Sequence, residues 1–354
     1  MRVIDRYIAR TVVSMTLLAL LAVLALDSLY LFIRESEKIG RAHYDLPEAL
    51  LFIAWSLPNN AIAALPAVFL LGGLLGLGAL AGGSEIVVIR AAGVSASRIV
   101  WSAMRPGVAL ALLAFLFGEF VASGLTHEAN EFRAEALGKN IAIRGGQGFW
   151  VRDAESILRV RDLRPDGALA QLEIYQFDSG LQLRRFARAE TAILVGESWE
   201  LRNVEATLID ENSTRVARIE SETLNASISP RLLRILTLDP EDLSLRDLHL
   251  YLGYLQENGQ DGRQYELAWW QKIIAPASHL VMLFIATPFV FGSLRQSAFG
   301  QRLFFGILIG LGFFLANRAM GGFGLVYGLP PVAAASIPTA VFLVGGLFAL
   351  AKIR

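Results

Sequence analysis

Apolar stretches long enough to cross a membrane recur six times along the chain, at about 11–33, 61–82, 106–125, 273–294, 303–320 and 332–351. A segment in a hydrocarbon core must satisfy its own backbone hydrogen bonds, and at these lengths only a helix does so. Pro66 and Pro288 fall inside two of the runs, where membrane helices tolerate a kink. The segment from Ala49 to Ser84 holds no Asp, Glu, Lys or Arg and is too long for one span. A break is expected near Pro58-Asn59-Asn60, with the preceding residues lying at the interface. The first run follows Arg2, Arg6 and Arg10 and is interrupted only by Asp27. It exceeds the apolar core of a signal peptide and reads as a retained transmembrane helix.

Between the third and fourth runs the period changes from helical to alternating. Ile157–Arg161, Leu172–Phe177, Thr191–Val195, Trp199–Arg202 and Arg215–Ile219 alternate apolar with polar, and turn clusters such as Pro165-Asp166-Gly167 separate some of them. Period-two alternation broken by turns at such intervals predicts an antiparallel sandwich or roll. From Asp239 to about Gly262 the leucines at 243, 245, 248 and 252 predict a helical return to the membrane. The expected fold is an α-helical membrane protein with six transmembrane helices plus an extracytoplasmic all-β domain between the third and fourth. Its parts are a membrane half at 1–129 with a short loop helix at about 84–93, a β-domain at 130–245, and a return segment with the last three helices at 246–354.

Composition agrees and charge adds an orientation. The 354 residues are 54% hydrophobic and only 18% charged, where a soluble domain is nearer 25%. The zero net charge hides a split: residues 124–268 carry 17 Lys and Arg against 24 Asp and Glu, leaving the apolar remainder basic. An acidic central domain argues against a nucleic-acid face. Arg2, Arg6, Arg10, Arg90, Arg98, Arg105, Arg295, Arg302, Lys352 and Arg354 fall on one side of the spans, and the short loops on the other carry only Arg34, Lys38 and Arg41, the large central domain being left out because long domains cross largely regardless of charge. The positive-inside rule therefore places both termini in the cytoplasm and the β-domain outside.

Several chemistries are excluded. There is no cysteine, hence no disulfide and no thiolate metal site. No Gly-x-x-x-x-Gly-Lys-Ser/Thr phosphate loop occurs, so ATP hydrolysis is not expected of this chain. His43, His127, His249 and His279 lack ligand spacing, so no metal site is expected. Neither a catalytic triad nor any other catalytic centre is visible.

Candidate working residues lie in loops and at span ends. After the second span, Ser84 is a plausible N-cap, Glu85 favours a helix start and Gly93 a stop. The two-turn helix between them is apolar at Ile86 and Ile89, carries Arg90, and reads as either a surface connector or a coupling helix that inserts into a partner. Arg34, Lys38 and Arg41 form the only basic cluster in the short outer loops, against the topology bias, and suit an anionic lipid headgroup. Pairing with Glu35 and Glu37 is the plain alternative. Asp27, Glu119 and Arg318 sit within spans, where an ionisable residue either snorkels or faces a cavity or partner. Trp269 and Trp270 read as an interfacial anchor.

Ile4-Asp5-Arg6-Tyr7-Ile8, Gly76-Leu77-Gly78 followed by Ser84-Glu85 and Ala92-Gly93, Gly118-Glu119, Gly292-Ser293-Leu294-Arg295 and Leu325–Pro331 occur in an order that resembles the LptF/LptG (YjgP/YjgQ-type) permeases of the lipopolysaccharide exporter. The resemblance covers essentially the whole chain. It implies a bacterial inner-membrane heterodimer with an LptF-like permease and a periplasmic β-jellyroll. ATP would be bound by a separate LptB-like ATPase dimer, with no cofactor in this chain. LptC and LptA would carry the lipid onward from the outer leaflet. By similarity Glu85 matches the acid of the family's coupling helix. One position departs: Leu31 stands where a basic residue on the first helix often meets the lipid phosphates, and Arg34 is the nearest substitute. A mechanotransmission-type ABC permease, a membrane enzyme acting on lipid-linked glycans and a sensor or scaffold are the competing classes. The first usually has four spans, and the second would need acids converging at one membrane face.

Overall fold

A computed structural model describes residues 3–138, 149–153, 156–164, 167–178, 180, 182–196, 198–210, 213–224, 232, 235, 238–291 and 299–352. Arg2, Arg295, Arg354 and the string at 292–295 lie outside these residues. The chain divides into two compact units, one of Met1–Arg34, Ile53–Thr126 and Arg263–Arg354, the other of Glu35–Phe52 and His127–Gly262.

Helices build the first unit. They are α1 (Val3–Ser36), α2 (Leu46–Gly82), α3 (Glu85–Ala91), α4 (Ala96–Phe117), which runs through a π-turn (Gly118–Ala122) into α5 (Ser123–Ala136), then α7 (Arg263–Phe291), α8 (Phe299–Tyr327) and α9 (Pro331–Ala351). Six helical stretches among the described residues are long and apolar enough to cross a membrane, with α4 and α5 counting as one. The expected break at 58–60 does not occur: α2 is continuous from Leu46 to Gly82 with Pro58 and Pro66 inside it. Each proline removes one backbone donor, whereas an opened turn would strand several donors and acceptors in an apolar setting. Asn60 uses its position in the intact helix to donate to Asp27 Oδ2 across 2.7 Å, so Asp27 answers a neighbouring helix rather than snorkelling alone. Gly72 permits the closest approach of α1 and α2, because a Cβ there would lie 2.2 Å from Thr16 Oγ1. Further on, Ser278 of α7 and Thr339 of α9 share a buried 2.7 Å hydrogen bond.

In the second unit, β1 (Phe149–Asp153), β2 (Ser156–Leu163), β3 (Leu169–Phe177), β4 (Leu183–Val195), β5 (Ser198–Ile209) and β6 (Thr214–Leu224) form one antiparallel sheet in that order. Each alternating segment read from the sequence falls inside one of β2–β6. Register explains the core. Leu158, Ile174, Ala187 and Ala206 make one cross-strand row, and Val160, Leu172, Ala189 and Val204 the next. All eight are buried in a single apolar cluster with Trp199 and Leu201. One residue further along each strand the opposite face carries Trp150, Arg159, Glu173, Arg188, Glu205 and Arg218, also in register. The charges alternate in sign across five strands, with contacts of 3.3 Å from Arg159 and 3.1 Å from Arg188 to Glu173 and 3.3 Å from Arg218 to Glu205. The Arg159 guanidinium also lies over the Trp150 ring, 5.3 Å from its centre. Burial would raise the Glu173 carboxyl, but hydrogen bonds from Arg188 and Tyr175 and the charges of Arg159 and Arg161 outweigh it and hold the group below the usual range.

The predicted return helix is α6 (Leu245–Glu257). Ser244 caps it by accepting from the Asp247 amide at 3.1 Å, and Leu248, Tyr251 and Leu255 form its buried stripe.

Candidate functional site

The short helix α3 is built from its ends. Its start departs from expectation. Ser84 has a left-handed backbone, φ 61°, and its side chain makes no capping bond. Its hydroxyl therefore cannot reach the orphan amides as an extended N-cap residue would. The other end is as expected and more complete. Gly93, φ +86°, donates to the Arg90 carbonyl at 3.0 Å, and Val94 donates to the Ile89 carbonyl at 3.3 Å. Those two bonds make a Schellman stop, which requires the left-handed residue that glycine supplies.

The face of α3 also differs from the reading. Ile86 is buried and Ile89 half-buried, both packed into the apolar cluster of their own unit with Ile8, Leu77, Leu80 and Ile99. They anchor the helix to its own chain. The apolar side chains presented outward are Val87 and Val88, 41% and 68% exposed, beside the exposed Arg90. The helical period decides this: residues 86 and 89 share one face, and 87 and 88 lie around the cylinder from it.

Glu85 is half-buried, with its carboxylate beside the Tyr7 hydroxyl of α1. Two residues before Tyr7, Asp5 is 6% exposed. Its oxygens accept from Arg98 Nε at 3.2 Å, Arg98 Nη2 at 3.0 Å and Ser102 Oγ at 2.9 Å. Arg98 and Ser102 stand on the first turns of α4, directly after the α3 stop. The start of α1, all of α3 and the start of α4 are thus joined by a two-pronged ion pair and a shared apolar floor. On the far side, Arg302 of α8 donates to the Gly78 carbonyl of α2. A Cβ at Gly78 would sit 2.8 Å from that guanidinium, so the glycine holds the slot open. Sequence reasoning missed Asp5 and Tyr7 as working residues and counted Arg98 only as a topology signal. Two signs were available: an acid among Arg2, Arg6 and Arg10, and the string Ile4-Asp5-Arg6-Tyr7-Ile8 that carries part of the resemblance.

The basic candidates fare unevenly. Arg34, at the end of α1, is exposed and its guanidinium lies 5.7 Å from the centre of the Tyr30 ring. Lys38 is paired with Glu35 at 2.8 Å, as the plain alternative held. Arg133 joins the same carboxylate at 2.9 Å and the Tyr44 hydroxyl donates to it at 3.0 Å. Burial, and then Glu35 itself, push the Tyr44 hydroxyl well above the ordinary phenol range. Arg41 is exposed in the turn that follows. Arg318 is exposed on α8, within a span. Glu119 sits in the π-turn, an arrangement frequent at functional sites. Among the described residues no group of His, Asp and Glu has the clustering of a metal site.

The family model described as "Lipopolysaccharide export system permease LptF/LptG" matches residues 6–352. The chain belongs to the LptF/LptG family. Among curated relatives, the lipopolysaccharide export system permease protein LptG of Escherichia coli K12 is 33% identical over 353 residues, 99% of this chain and 98% of that protein. The protein of the same name from Haemophilus influenzae Rd is 31% identical over 343 residues, 96% of each. An LptF/LptG member with six apolar helices is a multi-pass inner-membrane protein and a permease subunit of the lipopolysaccharide exporter. Family membership also removes the glycan enzyme and the mechanotransmission permease from consideration. The platform under α3 and the outward Val87-Val88 pair belong to this permease.

Proposed function

We propose that the chain is a non-catalytic permease that extracts lipopolysaccharide from the outer leaflet of the inner membrane and passes it to a periplasmic β-jellyroll bridge, driven by an ATPase on a separate chain. In this reading both termini and α3 are cytoplasmic and the β-sheet unit is periplasmic. The partners are an LptF-like permease, an LptB-like ATPase dimer that binds the ATP, and LptC and LptA. The observation that carries the proposal is α3: a seven-residue helix, bolted to its own chain by Ile86, that presents two consecutive valines to water. A short loop helix gains nothing from exposed valines unless a partner covers them. Seated in a groove of the ATPase, Val87 and Val88 supply contact area and Arg90 a charge at the rim. Glu85 either pairs with a basic residue of that groove or orients α3 through Tyr7.

The stroke received by α3 then reaches α1 through Tyr7 and the Asp5–Arg98 pair, and α8 through Arg302. On the outer side, Arg34 and Arg41 are the exposed cations proposed to meet anionic lipid, and Arg318 is a further candidate. Lys38 contributes less because Glu35 already neutralises it.

The test is lipopolysaccharide release from proteoliposomes carrying the complete exporter. Val88→Asp and Glu85→Lys should weaken ATPase retention by an amount typical of a desolvated interfacial contact, about 2–5 kcal/mol, and release should fall accordingly. Wild-type release with the ATPase still bound in both variants would sink the coupling role. Replacing Arg34 and Arg41 by Gln should reduce lipid crosslinking with assembly intact, and adding Lys38→Gln should change little more.

A further inference from the structure

A groove of about 580 Å³ opens in the helical unit between the first four turns of α1 and the third turn of α4. Arg6, Arg10, Val13 and Leu17 form its α1 wall, at the three- and four-residue spacings that align side chains on one helix face. Arg105 and Pro106 form the α4 wall. The α1 stripe is graded, with both arginines toward the chain terminus and both aliphatic residues deeper. From Arg6 to Leu17 the helix rises about 16 Å, close to half of a roughly 30 Å hydrocarbon core. A basic rim over an apolar wall one leaflet deep has the profile of a single phospholipid.

Charge points to the kind of lipid. Arg6, Arg10 and Arg105 are exposed, and among the described residues none of the three is paired with a carboxylate. Their neighbour Arg98 is different, being taken by Asp5. Three unneutralised guanidiniums brought to one groove from helices distant in sequence form a planar-donor array suited to phosphate oxygens. Trp101, 63% exposed one turn before Arg105, adds the amphipathic ring typical of an interface.

We propose that this groove binds an anionic glycerophospholipid, its phosphate held by Arg6, Arg10 and Arg105 and an acyl chain laid along Val13 and Leu17. A zwitterionic lipid brings its own cation and gains less from this rim. The site rests on the reading that the start of α1 is cytoplasmic, which makes the ligand an inner-leaflet lipid, distinct from the lipopolysaccharide cargo of the outer leaflet. Bound there, the lipid braces α1 against α4 at the junction that Asp5 and Arg98 also hold.

The experiment uses the complete exporter in phosphatidylcholine nanodiscs doped with photoactivatable phosphatidylglycerol, and adducts are mapped by mass spectrometry. Adducts should concentrate on residues 6–17 and 101–106, and fall about fivefold for each arginine replaced by Gln. A photoactivatable phosphatidylcholine should label these segments only at background. Equal labelling by both probes, or labelling that persists in the Arg6→Gln/Arg10→Gln/Arg105→Gln variant, overturns the proposal and leaves the arginines as topology signals. Displacement by purified lipopolysaccharide but not by excess phosphatidylglycerol also overturns it. If the triple variant does not assemble, Arg105→Gln alone should still lose about fivefold, and unchanged labelling there counts against the site. Orientation is read separately. The chain has no cysteine, so Val3→Cys should react with an impermeant thiol reagent in inverted vesicles and not in spheroplasts. The reverse result refutes the topology while the lipid specificity stands or falls on the labelling.

Discussion

The helical unit and the β-sheet unit solve the same problem, holding polar groups in place, in opposite ways. In the helices, polar contacts join particular helix pairs: Asp5 with Arg98 and Ser102, Asp27 with Asn60, Ser278 with Thr339. Apolar packing in a lipid-facing bundle says little about which helix meets which, so sparse polar pairs set the register. In the sheet the backbone ladder already sets register. There the charges form a continuous row from Arg159 to Arg218 on one face while small and large apolar residues fill the other. Loss of a polar contact should therefore be local and severe in the helices, and shared out in the sheet.

Asp5→Ala is the sharpest way to break the helical side of this contrast. It removes a buried acceptor that takes three hydrogen bonds from Arg98 and Ser102, and should cost more than either of the two variants that follow. Thermal unfolding of the purified exporter should shift down, and export should fall even where the variant assembles. A variant matching wild type in both would refute the view that this pair fixes α1 to α4.

In the sheet, Glu173→Gln tests whether a row of charges shares its load. Gln keeps a hydrogen-bond acceptor, and Arg161 and Arg188 are exposed enough to rehydrate. The expected loss is about 2 kcal/mol, within the range for a charged hydrogen-bonded group. The pH dependence gives a sign. The folded carboxyl is depressed, so its contribution is complete above the unfolded carboxyl range, near pH 4.3, and disappears as pH falls through the lower folded value. Acid titration of sheet stability, followed by hydrogen exchange in β3, should be steeper in wild type than in Glu173→Gln. Parallel curves would remove Glu173 from the account.

Ser278→Ala should have the smallest effect. Its hydroxyl also reaches the Ile274 carbonyl of its own helix, so Thr339 loses one neutral partner at a cost of about 1 kcal/mol. A loss as large as that of Asp5→Ala would mean that hydroxyl pairs, and not only charges, set helix register here.

Span count, the alternating β-segments, the return helix and the glycine stop of α3 were legible because each is a local periodicity or a local backbone requirement. Other features were not, for physical reasons. β4 was read only at Thr191–Val195 because its core side chains farther back are Ala187 and Ala189, too small to stand out among arginines. The break at Pro58 was misread because the charge-free segment exceeds one span in length, whereas a single continuous helix, Leu46–Gly82, takes up all of it but its last two residues. The outward face of α3 was misassigned to Ile86 and Ile89, since larger apolar residues are equally suited to the chain's own core. Asp5 and Arg98 are 93 residues apart, and nothing in either's neighbourhood names the other. The Glu35 hub was half-read: its tie to Lys38 is local, but those to Tyr44 and Arg133 depend on the fold.

The order of strands has a consequence for how the protein is made. Every strand from β1 to β5 pairs with its immediate successor, so each pairing closes only a short loop and the sheet has a low contact order. A hairpin can form as soon as its second strand emerges, without waiting for chain yet to be synthesised. The last three spans come after β6 in the chain. The sheet can therefore be largely assembled while the second half of the membrane unit is still on the ribosome, leaving only the outer edges of β1 and β6 unpaired within it.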